Sequence, residues 1–203
     1  MLRATALLLV FAAAAQPALL SAQSPTTTPD APTYTADHKL MLPAHYREWI
    51  FLTSGIDMSY TPNPAMAGHS MFDNVFVNPS SYQAFLKTGT WPDKTTFILE
   101  VRGAEGPSSI NKRGHTQSQE LMGFEIHVKD SSLEGGWGFF EPDGPATAAL
   151  IKRPAACYQC HEAHGAVDTT FVQFYPTLFP LAKQKNTLSP AYLKEISTPA
   201  AAK

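Results

Sequence analysis

Cysteine is nearly missing from this chain, with two in 203 residues. A small secreted domain held together by disulfides needs more than that, so the meaning of the two thiols depends on where they fall. Charge is sparse as well: 15 Lys and Arg stand against 17 Asp and Glu, net −2, and no basic run occurs. That excludes nucleic-acid binding, which relies on a cationic stripe to displace counterions. There is no internal repeat. Past the first two dozen residues there is also no apolar run approaching the roughly 20 residues of a membrane span. What remains is 44% hydrophobic and 11% aromatic residues, which excludes general disorder and suits a single domain with a proper core.

The first 22 residues read as an address. Arg3 precedes an apolar, alanine-rich run from Ala4 to Ala15, and Leu20-Ser21-Ala22 supplies small residues for cleavage. This is the grammar of a secretory signal, so the chain is expected to be exported, periplasmic or otherwise. No cysteine near the cut offers a lipid anchor. Residues 23–44 open with QSPTTTPDAP and read as a flexible tether, and residues 186–203, ending STPAAAK, read as a tail. The folded domain is expected over 45–185.

Within it the pattern is α+β. YREWIFLT (46–53) and Phe72 to Val77 read as strands. Asn78-Pro79 opens a helix with Asn as its cap, and Tyr82, Phe85 and Leu86 form its apolar stripe before Gly89 stops it. Thr95 to Val101 is the clearest strand. Its alternation sends Phe97, Leu99 and Val101 to one face and Thr96, Ile98 and Glu100 to the other. A polar loop over 103–119 and strands at Leu121 to Val128 and Gly135 to Phe140 follow.

The chemistry is carried by Cys157-Tyr158-Gln159-Cys160-His161. C-x-x-C-H is the attachment signature of c-type haem. Two thiols three residues apart on one turn reach the two vinyl groups of a porphyrin edge, and the next residue turns its imidazole to the iron. One motif predicts one covalent haem c, with Cys157 and Cys160 as tethers and His161 as the iron ligand. A redox dithiol would follow a strand and open a helix, and Ile151-Lys152-Arg153-Pro154 is no such strand. A zinc site would need a second pair of ligands, and no other cysteine exists.

The ordered set YREW (46–49), VFVNPSSYQAFLKTG (75–89), WPDKTTFILE (91–100), HVKD (127–130), GWGFF (136–140), C-x-x-C-H and VDTTFVQFYPTL (167–178) resembles the cytochrome P-460 and cytochrome c′-beta family. The resemblance implies a single domain on a mostly antiparallel sheet with a few short helices, haem c near the C-terminal part, a five-coordinate iron and a homodimer. In cytochrome P-460, which oxidises hydroxylamine, a lysine just before the strand's glutamate bonds to the porphyrin. Here that position is Leu99, before Glu100, and Lys94 lies five residues earlier. The departure moves the chain towards cytochrome c′-beta, whose members resemble nitric oxide-binding proteins with an apolar distal face.

Phe97, Leu99 and Phe72 are the expected distal residues, with Phe76 assigned to ordinary core packing. They predict a dry pocket without a proton acceptor for hydroxylamine, open to small neutral ligands. Glu100 and Asp73 are the carboxylates noted on these strands. A sixth ligand would come from Met58, Met66, Met71, Met122, His69, His115 or His127 and would make the protein a plain electron-transfer cytochrome with a redox partner. Lys152 and Arg153 stand where cations pair with haem propionates, Asp168 near the proximal side, and His164 on the same helical turn as His161.

Overall fold

The computed structural model describes residues 29–60 and 70–198; the expected leader 1–22, Met66 and His69 lie outside them. The elements run β1 (Leu40–Met41), β2 (Ile50–Ile56), β3 (Met71–Val77), α1 (Pro79–Thr88), β4 (Thr96–Glu105), β5 (Thr116–Lys129), β6 (Trp137–Pro142) and β7 (Thr147–Leu150). Three helices follow: α2 (Ala156–His164), α3 (Phe179–Lys185) and α4 (Pro190–Ser197). The strands form one antiparallel sheet in the order β1-β7-β6-β5-β4-β3-β2. The α+β class built on an antiparallel sheet is what the chain adopts.

Several boundaries differ from the sequence expectation, each for a local reason. Tyr46–Glu48 is a 3-10 turn, so β2 begins only at Ile50. The 103–119 loop shrinks to ten residues because β4 and β5 continue pairing as far as Glu105 and Thr116. Leu86 sits at the edge of the α1 stripe, 38% exposed, while Phe85 is fully buried. Asn78 does not cap α1 through its side chain. Its Oδ1 accepts instead from the Thr96 backbone N–H at 2.9 Å. The free N–H of Ser80 in the first turn is taken by Asp30 Oδ2 at 2.8 Å, from fifty residues away.

The ordered chain also reaches further at both ends than composition implies. Leu40, within the expected tether, is fully buried and pairs with Ala148 of β7. Residues 190–197, within the expected tail, form a helix whose first turn is capped by Ser189 Oγ. Short apolar islands in Pro- and Ser-rich context carry little periodic signal, so only tertiary packing reveals them.

Strand alternation divides the interior in two. One face packs Leu52, Val77, Phe97 and Trp137 against α1, the turn after α2 and α3, with Phe85, Trp91, Val172, Tyr175 and Leu178 filling the gap. The other packs Phe76, Ile98, Ile126, Val128 and Phe140 against the N-terminal segment through Leu40, Tyr34, Tyr46 and Trp49. Phe97 and Ile98 thus lie in different cores, as period 2 requires.

Asp130 pins this N-terminal cover. Tyr34 Oη donates to it at 2.9 Å, Ser132 Oγ at 2.7 Å, and Lys94 pairs with it. Burial alone would raise its carboxyl, but the bonds from Lys94, Ser132 and Tyr34 outweigh burial and hold it at about 2. A depressed folded value contributes stability above the ordinary aspartate range that is lost as pH falls through the folded value. Asp130→Asn should therefore cost about 2 kcal/mol at pH 7. Urea transitions should show the wild type approaching the variant between pH 4 and about 2.

Candidate haem site

Between the first face of the sheet and the C-terminal segments lies a cavity of about 340 Å³. β3 contributes Met71, Asp73 and Val75, β4 contributes Phe97, Leu99 and Val101, and β5 contributes Glu125 and His127. His161, Thr170, Phe171 and Tyr175 close it from the C-terminal side. Residues at i and i+2 on neighbouring strands share a face, which is why Val75 and Glu125 flank Leu99 in register.

His161 stands near the end of α2, packed against Phe171 (ring centroids 4.1 Å), Phe139 (4.6 Å) and His127 (5.0 Å). Its Nδ1 lies 2.7 Å from the Thr169 carbonyl. A carbonyl only accepts, so Nδ1 carries the proton and Nε2 keeps a free lone pair, the form that ligates a metal. Burial lowers the pKa of the imidazole, the Thr169 bond opposing it only in part. Gly165 makes the contact sterically feasible, since a Cβ there would sit 2.7 Å from the His161 carbonyl oxygen and 2.8 Å from Thr170 N.

Cys157 and Cys160 are unpaired and half-buried on the same helix. Burial raises the Cys160 thiol, the opposite of what an activated redox cysteine needs. Among the described residues no group of three or more His, Cys, Asp or Glu is arranged to hold a metal ion alone. A largely apolar cavity lined by an imidazole with a free Nε2, and two unpaired thiols on the same helix just outside that lining, together fit a haem. The iron of such a group would be held by His161 and its edge by the two thiols.

The structure sorts the other expected residues. Phe97 and Leu99 line the cavity. Phe72 does not, because the Asp73–Val75 alternation turns it, with Phe76, to the opposite face; this corrects its assignment as a distal residue. Glu100 is likewise on the far side, fully buried among Arg47, Arg102 and Tyr46. Lys94 is occupied by Asp130 and is absent from the cavity lining.

Of the possible sixth ligands, His127 lies in edge contact with His161, leaving no room for a porphyrin plane between the rings. Met122 and His115 are exposed and do not line the cavity. Met58 and Met71 line it, with the Met58 thioether folded against Gly55. Arg153 pairs with Glu162 at 2.6 Å, lies over the Tyr158 ring and, with Lys152, lines a separate hollow. His164 bonds Glu195 at 2.9 Å.

The expected uncharged distal pocket needs correction too. Asp73 and Glu125 both face the cavity. Burial raises the Asp73 carboxyl, with repulsion from Glu125 adding to it. Solvent reaches Glu125 through the cavity, yet the atoms crowded around it still push its carboxyl up. The sequence held the signal for Glu125: it is two residues before His127 on one strand and shares its face.

No curated protein matches the chain. The family described as Cytochrome P460 matches residues 43–172, more than half of the chain, from just ahead of the 3-10 turn before β2, past His161, to Val172. With the C-x-x-C-H helix set against the cavity inside that span, the chain belongs to the cytochrome P460 family and is a haem cytochrome of the c type.

Proposed function

We propose that this chain is an exported monohaem cytochrome that binds nitric oxide or a similar small ligand at a five-coordinate iron, on the cytochrome c′-beta side of its family. One haem c is attached through Cys157 and Cys160, with His161 as its protein ligand. The observation that carries this reading is the wall of Val75, Phe97, Leu99 and Val101 across the cavity, a surface without a ligating atom. The bound haem supplies an iron that takes a small ligand and exchanges one electron. The chain's own residues tether the group, hold the His161 Nδ1 proton on Thr169 and keep the ligand side largely apolar.

A second reading is oxidation of hydroxylamine or a related nitrogen oxide, and Asp73 with Glu125 favours it. Two carboxyls facing one cavity, both shifted upward by the atoms packed around them, are groups that such an oxidation would use to take up protons. Among the described residues, Met58 and Met71 are the candidate sixth ligands at the cavity that a plain electron-transfer role would place on the iron.

Optical spectra of the oxidised, reduced and NO-treated holoprotein, with peptide mapping of the haem, separate these readings. The expected result is a high-spin spectrum of ordinary c-haem shape that responds to NO, with thioethers at Cys157 and Cys160 as the sole porphyrin–peptide bonds. A strongly red-shifted reduced band with a third bond would replace the proposal with the enzyme reading. A low-spin spectrum in both oxidation states, slow to take up NO, would replace it with electron transfer.

A further inference from the structure

The tight turn Val167–Thr170 is held more firmly than a surface turn requires. Val167 and Thr170 exchange backbone hydrogen bonds, and the Thr170 hydroxyl donates to the Val167 carbonyl at 2.8 Å. The Trp91 indole N–H, buried in the core, donates to that same hydroxyl at 2.9 Å. Asp168 takes a left-handed conformation, φ 53°, which aspartate adopts more readily than most residues. The next residue, Thr169, then presents its carbonyl to His161 Nδ1.

Among the described residues Asp168 has one ionic partner. Lys129 Nζ lies 3.0 Å from its Oδ2, donates to the Trp91 carbonyl at 2.8 Å, and sits 5.4 Å from the centre of the Trp137 ring. Lys129 belongs to β5, two residues beyond His127, whose Nε2 is 3.5 Å from the Thr169 hydroxyl. The ammonium is thus fixed by a backbone carbonyl and a tryptophan face before it meets the carboxylate. An ordinary exposed pair contributes little to stability. This one ties the sheet to the one turn whose carbonyl orients the imidazole.

We infer that Lys129 and Asp168 are a positioning pair for His161: their ion pair clamps the 167–170 turn so that the Thr169 carbonyl holds the Nδ1 proton. The inference rests on the reading of His161 as the iron ligand. A firm Nδ1–H bond makes the imidazole a better electron donor and favours the oxidised iron. Loosening the clamp weakens that bond, so the midpoint potential rises and the iron–histidine bond softens.

Asp168→Asn and Lys129→Gln test this in the haem-loaded protein, read by potentiometric titration and by the iron–histidine stretching band of the reduced form. Asparagine keeps the left-handed turn and removes only the charge, so Asp168→Asn remains informative if Lys129→Gln fails to fold. The expected result is a higher midpoint potential and a lower stretching frequency in each variant that loads haem. Disruption of the surface pair Lys39–Asp143 by Lys39→Gln should move neither. A wild-type band that stays in place in Asp168→Asn, with an unchanged potential, would overturn the clamp while leaving His161 as the ligand. A wild type whose reduced haem is high-spin yet lacks any iron–histidine band would overturn the ligand reading, and the clamp with it.

Discussion

Glu100→Ala is expected to lower the unfolding free energy by about 3 kcal/mol, the lower end of what breaking a buried ion pair costs, and to leave uptake of a small ligand unchanged. The carboxylate is fully buried on the sheet face away from the cavity. Arg102 donates to its Oε1 at 2.7 Å, and Arg47 and Tyr46 both reach its Oε2. Removing it leaves Arg102, whose side chain is 18% exposed, with the Ser118 and Gln119 carbonyls but no anion, whereas Arg47 at 54% swings out to water; that keeps the cost moderate. Burial alone would raise the Glu100 carboxyl, but hydrogen bonds from Arg102 and Tyr46 and the two arginine charges overcome it and hold it below the ordinary range. Its contribution is thus complete above the ordinary glutamate range and is lost as pH falls through the depressed folded value. Urea unfolding at pH 7 and below pH 4 measures both parts. A ΔΔG near zero at pH 7 would show that the arginines find equivalent partners without it.

The same strand shows what the sequence discloses about this fold. Thr95 to Val101 is rich in β-branched and aromatic residues and free of Gly and Pro, so a strand is legible there and period 2 alone separates Phe97 from Ile98. The C-x-x-C-H motif is legible because its spacing serves one chemistry. Residue type alone points to Phe72 as a distal residue, and its strand gives the correction: Asp73, Val75 and Val77 share a face, which leaves Phe72 and Phe76 on the other. The bond that orients His161 has no residue signature. Its acceptor is a backbone carbonyl, and any residue at 169 would supply one. The Asp30 cap on α1 escapes local reading for a related reason, since its partner is fifty residues distant and its own neighbours read as tether.

Those placements give Leu99 a sharper role than residue type alone. It lies between Val75 and Glu125 in register and its side chain borders the cavity, half-buried where Ile98 beside it is fully buried. Leu99→Trp adds roughly 60 Å³ of side chain, and dense packing around it leaves the cavity of about 340 Å³ as the direction in which that volume goes. If the ligand reaches the iron across this wall, association of NO or CO should slow by at least about tenfold, equivalent to about 1.4 kcal/mol on the entry barrier. Leu99→Ala should speed it and cost only about 2 kcal/mol in stability, the low end for such truncations because the side chain already borders open space. Ile98→Val supplies the contrast from the next residue on the same strand. It should cost about 1 kcal/mol through the other core and leave the association rate unchanged. Flash photolysis of the reduced CO complex reads all three rates on one instrument. Equal rates in wild type, Leu99→Trp and Leu99→Ala would place ligand entry elsewhere along the cavity, with the Asp73 and Glu125 side as the alternative route. That outcome would bring the two carboxyls into contact with every incoming ligand and strengthen the oxidising reading over simple binding.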